Sequence, residues 1–189
     1  MKKLTSFLLL LALLLLAPLF GLLSTMIVTG RMSFFSDALG HSAFTGMAIG
    51  AICGFNEPTW AAVLFAIFFA VLFNFVRRRS ALASDTVIGV FSSTAVALGI
   101  FIATLGGGSF TKYNKYLIGD ILSVTPVEIG MLAIVLLIVV VFWVLFSNKM
   151  TLAAIHPHLA SSRGFAVNIT QTLFTTTIAV VVTLAISWV

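Results

Sequence analysis

Long uninterrupted runs of apolar residues limit this chain to few possible folds. Leu8 to Leu16 and Ile134 to Phe142 each contain nine consecutive apolar residues. Neither run alternates between apolar and polar residues, as the strands of a membrane β-barrel do. Of the 189 residues, 61% are hydrophobic and 8% are charged, whereas about a quarter of the residues of a soluble domain are charged. The sequence therefore predicts an all-α integral membrane protein.

The apolar runs also predict how many helices cross the membrane. A crossing helix needs about 20 residues, so the chain has room for about six or seven helices and their connections. Six runs are long enough, namely Leu4–Val28, Phe34–Phe55, Pro58–Val76, Thr86–Leu105, Pro126–Phe146 and Ile169–Val189. Tyr116–Leu122 is too short to cross and is expected to be re-entrant or interfacial. Because no change of composition divides the chain, residues 1–189 are predicted to form a single transmembrane domain, a polytopic helix bundle.

Basic residues predict the orientation of the bundle. The net charge of +5 comes from residues strung between the apolar runs, and these do not form a patch suited to nucleic acid. Cytoplasmic loops are rich in Lys and Arg, and the triplet Arg77 to Arg79 favours an N-terminus on the outside. Lys2 and Lys3 favour the opposite orientation.

The second predicted span contains the most informative polar residues. Asp37 and His41 are four residues apart, so on a helix their side chains project from the same face. An ionisable side chain at the bilayer centre costs about 2.5 to 3.5 kcal/mol, which makes such residues functional candidates. A carboxylate and an imidazole on one face also make half of a site for a borderline metal ion, with an Asp oxygen and a His nitrogen as ligands. The spacing equally fits a structural interpretation, in which Asp37 caps the helix or pairs with Arg31 and His41 packs as a polar residue.

Small residues form a second pattern on the same span. They recur every four positions and are Ser42, Gly46, Gly50 and Gly54. Such a ridge predicts that another helix approaches closely, and it lies about 100° around the helix from His41. The helix could therefore pack on one side and present Asp37 and His41 to a cavity on another, with Thr45 extending the polar line.

Other sequence signals of chemistry are weak. The chain contains no phosphate-binding loop, no Gly-x-Ser-x-Gly motif and no His-Glu-x-x-His motif. Its single cysteine, Cys53, excludes an intrachain disulfide and a metal site built from several cysteines. Asp85 precedes an apolar run, which favours a helix N-cap over a metal ligand.

The stretch at residues 31–50 resembles the most characteristic segment of the zinc and manganese permeases of ATP-binding cassette (ABC) importers. It reads RMSFFSDALGHSAFTGMAIG. Three later blocks agree with the same family in the same order, namely Asp85–Val90, Tyr116–Leu122 and His156–Gly164. The resemblance to this ABC-3 type family covers nearly the whole chain, and it implies the fold of a type II ABC importer.

The resemblance implies roles for individual residues. Asp37 and His41 would coordinate the transported ion along its path. The segment from Pro157 to about Asn168 would be the coupling helix that meets the ATPase. Its positions of interest are Pro157, Leu159, Ala160, Arg163 and Gly164. The family usually has an acidic residue where His156 stands, so no role is carried over to that histidine.

The resemblance also implies an assembly. Two permease subunits, as a homodimer or a pseudo-symmetric pair, would lie in the bacterial cytoplasmic membrane. They would receive the ion from an extracytoplasmic metal-binding protein and couple to a separate cytoplasmic ATPase. The permease would be no enzyme and would hold no permanent cofactor. Its cargo would be Mn²⁺ or Zn²⁺, since both accept carboxylate and imidazole ligands.

Two other interpretations remain. One is a permease of the same fold that carries iron or an iron chelate, and the other is a membrane protein that does not transport. Members of the family continue through further helices, whereas this sequence stops at Val189 within an apolar run. The expectation is therefore a permease domain that lacks its C-terminal helices.

Overall fold

A computed structural model describes residues 2–30, 32–55, 58–105, 126–162, 164 and 167–188. Within these ranges the chain forms helices and no strand. The helices are α1 (Lys2–Thr29), α2 (Phe35–Ile52), α3 (Pro58–Arg79), α4 (Ser84–Leu105), α5 (Pro126–Ile155), α6 (Pro157–Ser162) and α7 (Val167–Trp188). The predicted all-α class is confirmed for these residues, and the predicted short segment Tyr116–Leu122 lies outside them.

Five of these helices, α1, α3, α4, α5 and α7, are long and apolar enough to cross a membrane. The protein is a multi-pass membrane protein, as the apolar runs predict. The remaining predicted span, α2, is more polar because its 18 residues include Asp37 and His41. At about 1.5 Å per residue α2 is roughly 27 Å long, close to the hydrocarbon thickness of about 30 Å. Most of α2 is buried, and a helix covered by its neighbours needs no continuous apolar surface.

Two helix boundaries differ from the prediction for local reasons. α5 continues beyond Phe146 to Ile155, because no proline follows in the sequence until Pro157. A proline has no amide hydrogen to donate and therefore interrupts a helix. The N-cap predicted at Asp85 is wrong. The amides of Thr86 and Val87 both donate to the carbonyl of Ala83, so Asp85 lies exposed in the first turn of α4.

The described helices form two compact groups. The first group contains α1, α5, α6 and the first residues of α7, and in it α1 packs along α5. The second group contains α2, α3, α4 and the part of α7 from Phe174 onward. In this second group α2 packs extensively against both α3 and α4, which touch each other much less.

Aromatic side chains join the three helices of the second group. Phe35 of α2 and Phe73 of α3 are fully buried, and their ring centroids are 4.8 Å apart. Phe91 of α4 meets Phe69 and Phe73 edge to face at 5.4 and 5.8 Å. Edge-to-face pairs contribute about 0.5 to 1.5 kcal/mol beyond the area they bury, so this cluster stabilises the arrangement of α2, α3 and α4.

Glycines on α2 allow the backbone of α3 to approach closely. A Cβ added at Gly46 would lie 2.6 Å from Ala62 Cα and 2.9 Å from Phe65 Cβ. A Cβ at Gly50 would lie 2.6 Å from Ala61 Cβ. All three distances are shorter than real Cβ contacts allow, so only glycine fits at these two ridge positions.

Gly54 does not continue the ridge, because α2 ends at Ile52. Gly54 is exposed, with a φ of 77°, and a Cβ there would meet nothing within 4 Å. Its amide donates to the carbonyl of Ala51, and the amide of Phe55 donates to the carbonyl of Gly50. These two bonds form a Schellman cap with glycine in the left-handed position. Gly54 therefore terminates the helix, and its predicted role in helix packing is corrected.

We expect Gly46→Ala to destabilise the protein, because the new methyl group overlaps the backbone of α3. Overpacking of this kind typically costs about 1 to 3 kcal/mol. At roughly 2 to 4 °C per kcal/mol for a chain of this size, the thermal midpoint in detergent falls by several degrees. The matched control is Gly89→Ala on α4, where a Cβ would meet nothing within 4 Å. Equal midpoints for the two variants would contradict the close packing of α2 and α3.

Candidate metal site

Asp37 presents an accessible carboxylate near the beginning of α2. Phe34 is the N-cap residue, and no side chain caps the helix. Asp37 lies in the first turn, where the partial positive charge of the helix N-terminus stabilises a carboxylate. The structural interpretation of Asp37 as the cap is therefore set aside. Its alternative partner, Arg31, lies outside the described residues.

His41 follows Asp37 by one turn, and the two side chains meet. Nε2 of His41 lies 3.7 Å from Oδ2 of Asp37, and the side chains are 41% and 69% exposed, respectively. Two ligand atoms bound to one tetrahedral metal at about 2.1 Å would be roughly 3.4 Å apart. The observed separation differs from this value by a few tenths of an ångström, which a small side-chain rotation can supply. His41 is thus accessible and is not packed in a core.

The pair offers two ligands and no more. The described residues contain no group of three or more His, Cys, Asp or Glu side chains that could hold a metal ion. A tetrahedral zinc site takes four ligands, and Mn²⁺ takes more. A metal held by Asp37 and His41 would therefore need further ligands from elsewhere.

Thr45 connects the site helix to α4. Its hydroxyl lies 2.6 Å from the carbonyl oxygen of Ala95 and 3.2 Å from that of His41, and the residue is fully buried. Because a hydroxyl has one proton, the shorter contact to α4 is its main hydrogen bond. Thr45 thus fastens α2 to α4, which differs from the expectation that it extends the polar line of Asp37 and His41.

Gly99 makes the contact between α2 and α4 possible. A Cβ at Gly99 would lie 2.6 Å from Phe44 Cδ1 and 2.7 Å from Thr45 Oγ1. Gly99 was not predicted from the sequence. Its signal was an isolated glycine inside the apolar run of α4, a pattern that often has a packing reason.

A buried polar contact between α3 and α7 was also missed. The side-chain amide of Asn74 donates to the carbonyl of Ala70 at 3.0 Å and to the hydroxyl of Thr175. Both side chains are 1% exposed. Interhelical hydrogen bonds of this kind are worth about 0.6 kcal/mol on average in membrane bundles, so the contact helps to hold α7 in the second group.

A family model described as the ABC 3 transport family matches residues 5–189. The chain belongs to this family. The manganese transport system membrane protein MntC of Listeria monocytogenes is 31% identical over 147 residues, which are 78% of this chain and 52% of that protein. The high-affinity zinc uptake system membrane protein ZnuB of Haemophilus influenzae is 26% identical over 165 residues, which are 87% of this chain and 62% of that protein.

A solved structure has the same fold. It is described as PsaBC from Streptococcus pneumoniae in complex with Fab, and it matches with a TM-score of 0.74 and 24% identity. The match covers 95% of this chain and 64% of that one. This ABC 3 family chain therefore shares the fold of that solved structure. The chain spans 52% of MntC and 62% of ZnuB.

The segment predicted to couple with an ATPase is split in this family member. Pro157 begins α6, which ends at Ser162, and α7 begins at Val167. Leu159 is 46% exposed and Ala160 is fully buried. Gly164 has a φ of 75°, which favours glycine. The predicted continuous segment to Asn168 is thus a six-residue helix and a separate helix start, and Arg163 lies outside the described residues.

We expect Thr45→Val to loosen α2 from α4, because it removes the hydroxyl and keeps the shape of the side chain. The loss is about 0.6 to 1.7 kcal/mol, the range measured for interhelical hydrogen bonds in a membrane bundle. The control is Thr94→Val, whose hydroxyl bonds within α4 to the carbonyl of Val90 at 2.7 Å. Unfolding in detergent measures the free energy of unfolding of both variants. A decrease that is no larger for Thr45→Val than for Thr94→Val would contradict the role of Thr45.

Proposed function

We propose that this chain is the permease part of an ABC importer that moves Mn²⁺ or Zn²⁺ into the cell. The observation that carries the proposal is the accessible pair of Asp37 and His41, 3.7 Å apart on α2. Membership of the ABC 3 transport family and the names of the manganese and zinc relatives support the same substrate class.

The proposed site binds its cargo transiently. Asp37 contributes a carboxylate oxygen and His41 an imidazole nitrogen, which suit both metals. A second permease subunit, identical or pseudo-symmetric, supplies the same pair, and the two pairs complete four ligands. A site assembled from two subunits can open when the subunits move, so that the ion is released after it is bound.

ATP hydrolysis belongs to a separate subunit in this proposal, and the chain itself is no enzyme. The ATPase contacts the short helix α6, where the exposed Leu159 provides an apolar contact next to the buried Ala160. An extracytoplasmic metal-binding protein delivers the ion on the other side of the bacterial cytoplasmic membrane. No permanent cofactor is required, because the metal is the cargo.

We expect Asp37→Asn and His41→Gln each to lower metal uptake at least tenfold. Loss of groups that only orient a metal ligand costs about 10 to 100-fold, and these residues are proposed to touch the ion. The measurement is uptake of radioactive Mn²⁺ and Zn²⁺ by cells that lack other importers and express the permease with its ATPase and binding protein.

The matched control is Asp85→Asn, which removes an exposed carboxylate from the first turn of α4. This variant should transport as the unmodified protein does. Unchanged uptake in both Asp37→Asn and His41→Gln, at equal amounts of protein in the membrane, would refute the site assignment.

We expect Leu159→Glu to reduce copurification of the ATPase subunit, because it places a charge in the proposed apolar contact. Phe55→Glu is the control, since Phe55 is also an exposed apolar residue, at 56%, but lies at the end of α2. The measurement is the ratio of ATPase to permease after affinity purification of the permease from membranes. An ATPase that remains bound to the Leu159→Glu variant would show that α6 is not its contact.

A further inference from the structure

A groove of about 210 Å³ lies between α3 and α4 in the second group. Its walls include Phe65, Phe68 and Leu72 from α3 and Val90, Thr94 and Leu98 from α4. Of these residues only Thr94 has a polar side chain, and its hydroxyl donates to a carbonyl of its own helix. The groove is partly open, and most of the large side chains that line it are exposed at its rim. Its lining therefore suits a hydrocarbon chain.

The face of α3 that lines the groove continues to a basic residue, Arg79. The helical spacing of Phe68, Leu72, Phe75 and Arg79 places these residues along one face. The guanidinium of Arg79 lies 4.6 Å from the ring centroid of Phe75. From Phe65 to Arg79 the helix rises about 21 Å, which is half of a bilayer of about 40 to 45 Å including its headgroups. The groove and Arg79 thus match the acyl chain and the headgroup of one leaflet.

We propose that the α3–α4 groove binds an acyl chain of an anionic phospholipid whose phosphate pairs with Arg79. The apolar lining accepts the chain, and the basic end of α3, with Arg78 next to Arg79, supplies the complementary charge. Basic residues at the ends of membrane helices bind anionic headgroups in this way. The inference is independent of the proposed transport function.

A docked helix fits the groove less well than an acyl chain does. Helix interfaces in membranes use small residues that let two backbones approach, whereas large aromatic and aliphatic side chains dominate this lining. The Gly, Ala and Ser residues exposed on α4 are Gly89, Ser93 and Ala97. Gly89 lies opposite the groove, about 180° around the helix from Leu98, and Ser93 and Ala97 lie between Gly89 and the groove wall at Val90.

Native mass spectrometry of the detergent-purified full chain tests the proposal. Dioleoyl phosphatidylglycerol and dioleoyl phosphatidylcholine have the same acyl chains and differ in headgroup charge. We expect one phosphatidylglycerol to bind at least tenfold more tightly than phosphatidylcholine. Arg79→Gln should lower phosphatidylglycerol binding to the level of phosphatidylcholine. Leu98→Trp should weaken the binding of both lipids at least tenfold, because the larger side chain fills the groove. If the Leu98→Trp variant does not fold, Val90→Trp serves the same purpose.

Two controls separate the groove from the rest of the membrane surface. Lys149→Gln removes a cation that lies 5.5 Å from the ring centroid of Phe146 on α5, and Ile100→Trp enlarges an exposed residue on another face of α4. Neither change should alter lipid binding. Equal binding of the two lipids by the unmodified protein, or unchanged binding after Leu98→Trp and Val90→Trp, would overturn the proposal. A dimer that Leu98→Trp dissociates while lipid binding persists would also overturn it, because a second copy would then be the occupant.

Discussion

The close packing of α2 against α3 and α4 is the constraint on which the second helix group depends. A helix that contains Asp37 and His41 is costly in hydrocarbon, and neighbouring helices bury most of the other residues of α2. On the α3 side the approach requires that Gly46 has no side chain. On the α4 side it requires Gly99 and the hydrogen bond from Thr45. Lipid is excluded from these faces, and the polar pair stays accessible at the beginning of the helix.

If Asp37 and His41 bind the metal as proposed, the same helix separates the packing surface from the binding site. The middle of α2 is fixed by backbone contacts, which hold Asp37 and His41 at a set distance one turn apart. Two ligands from one helix bind a metal less tightly than a full set of four would. The positive end of the helix dipole also opposes a cation beside Asp37. Both effects would favour release of an ion from the proposed site, as transport requires.

The sequence predicted those features that depend on local spacing. Helical geometry alone places Asp37 and His41 on one face, and the four-residue repeat of small residues predicted close contact at Gly46 and Gly50. Gly54 has the same spacing but lies after the helix ends, which a repeat pattern cannot reveal. The partners of Thr45 and Asn74 are 50 and 101 residues away in sequence. No local pattern encodes such pairings, so they became visible only in the fold.

The coordination shell of a bound metal ion is the most direct test of Asp37 and His41 as ligands. X-ray absorption at the zinc edge, measured on the Zn²⁺-loaded complex of permease subunits, reports nitrogen and oxygen ligands at about 2.0 to 2.1 Å and the outer scattering of imidazole rings. We expect an imidazole signal in the unmodified protein that His41→Gln removes. An imidazole signal that persists in the His41→Gln variant, or a shell without imidazole in the unmodified protein, would contradict the assignment of Asp37 and His41 as the metal-binding pair.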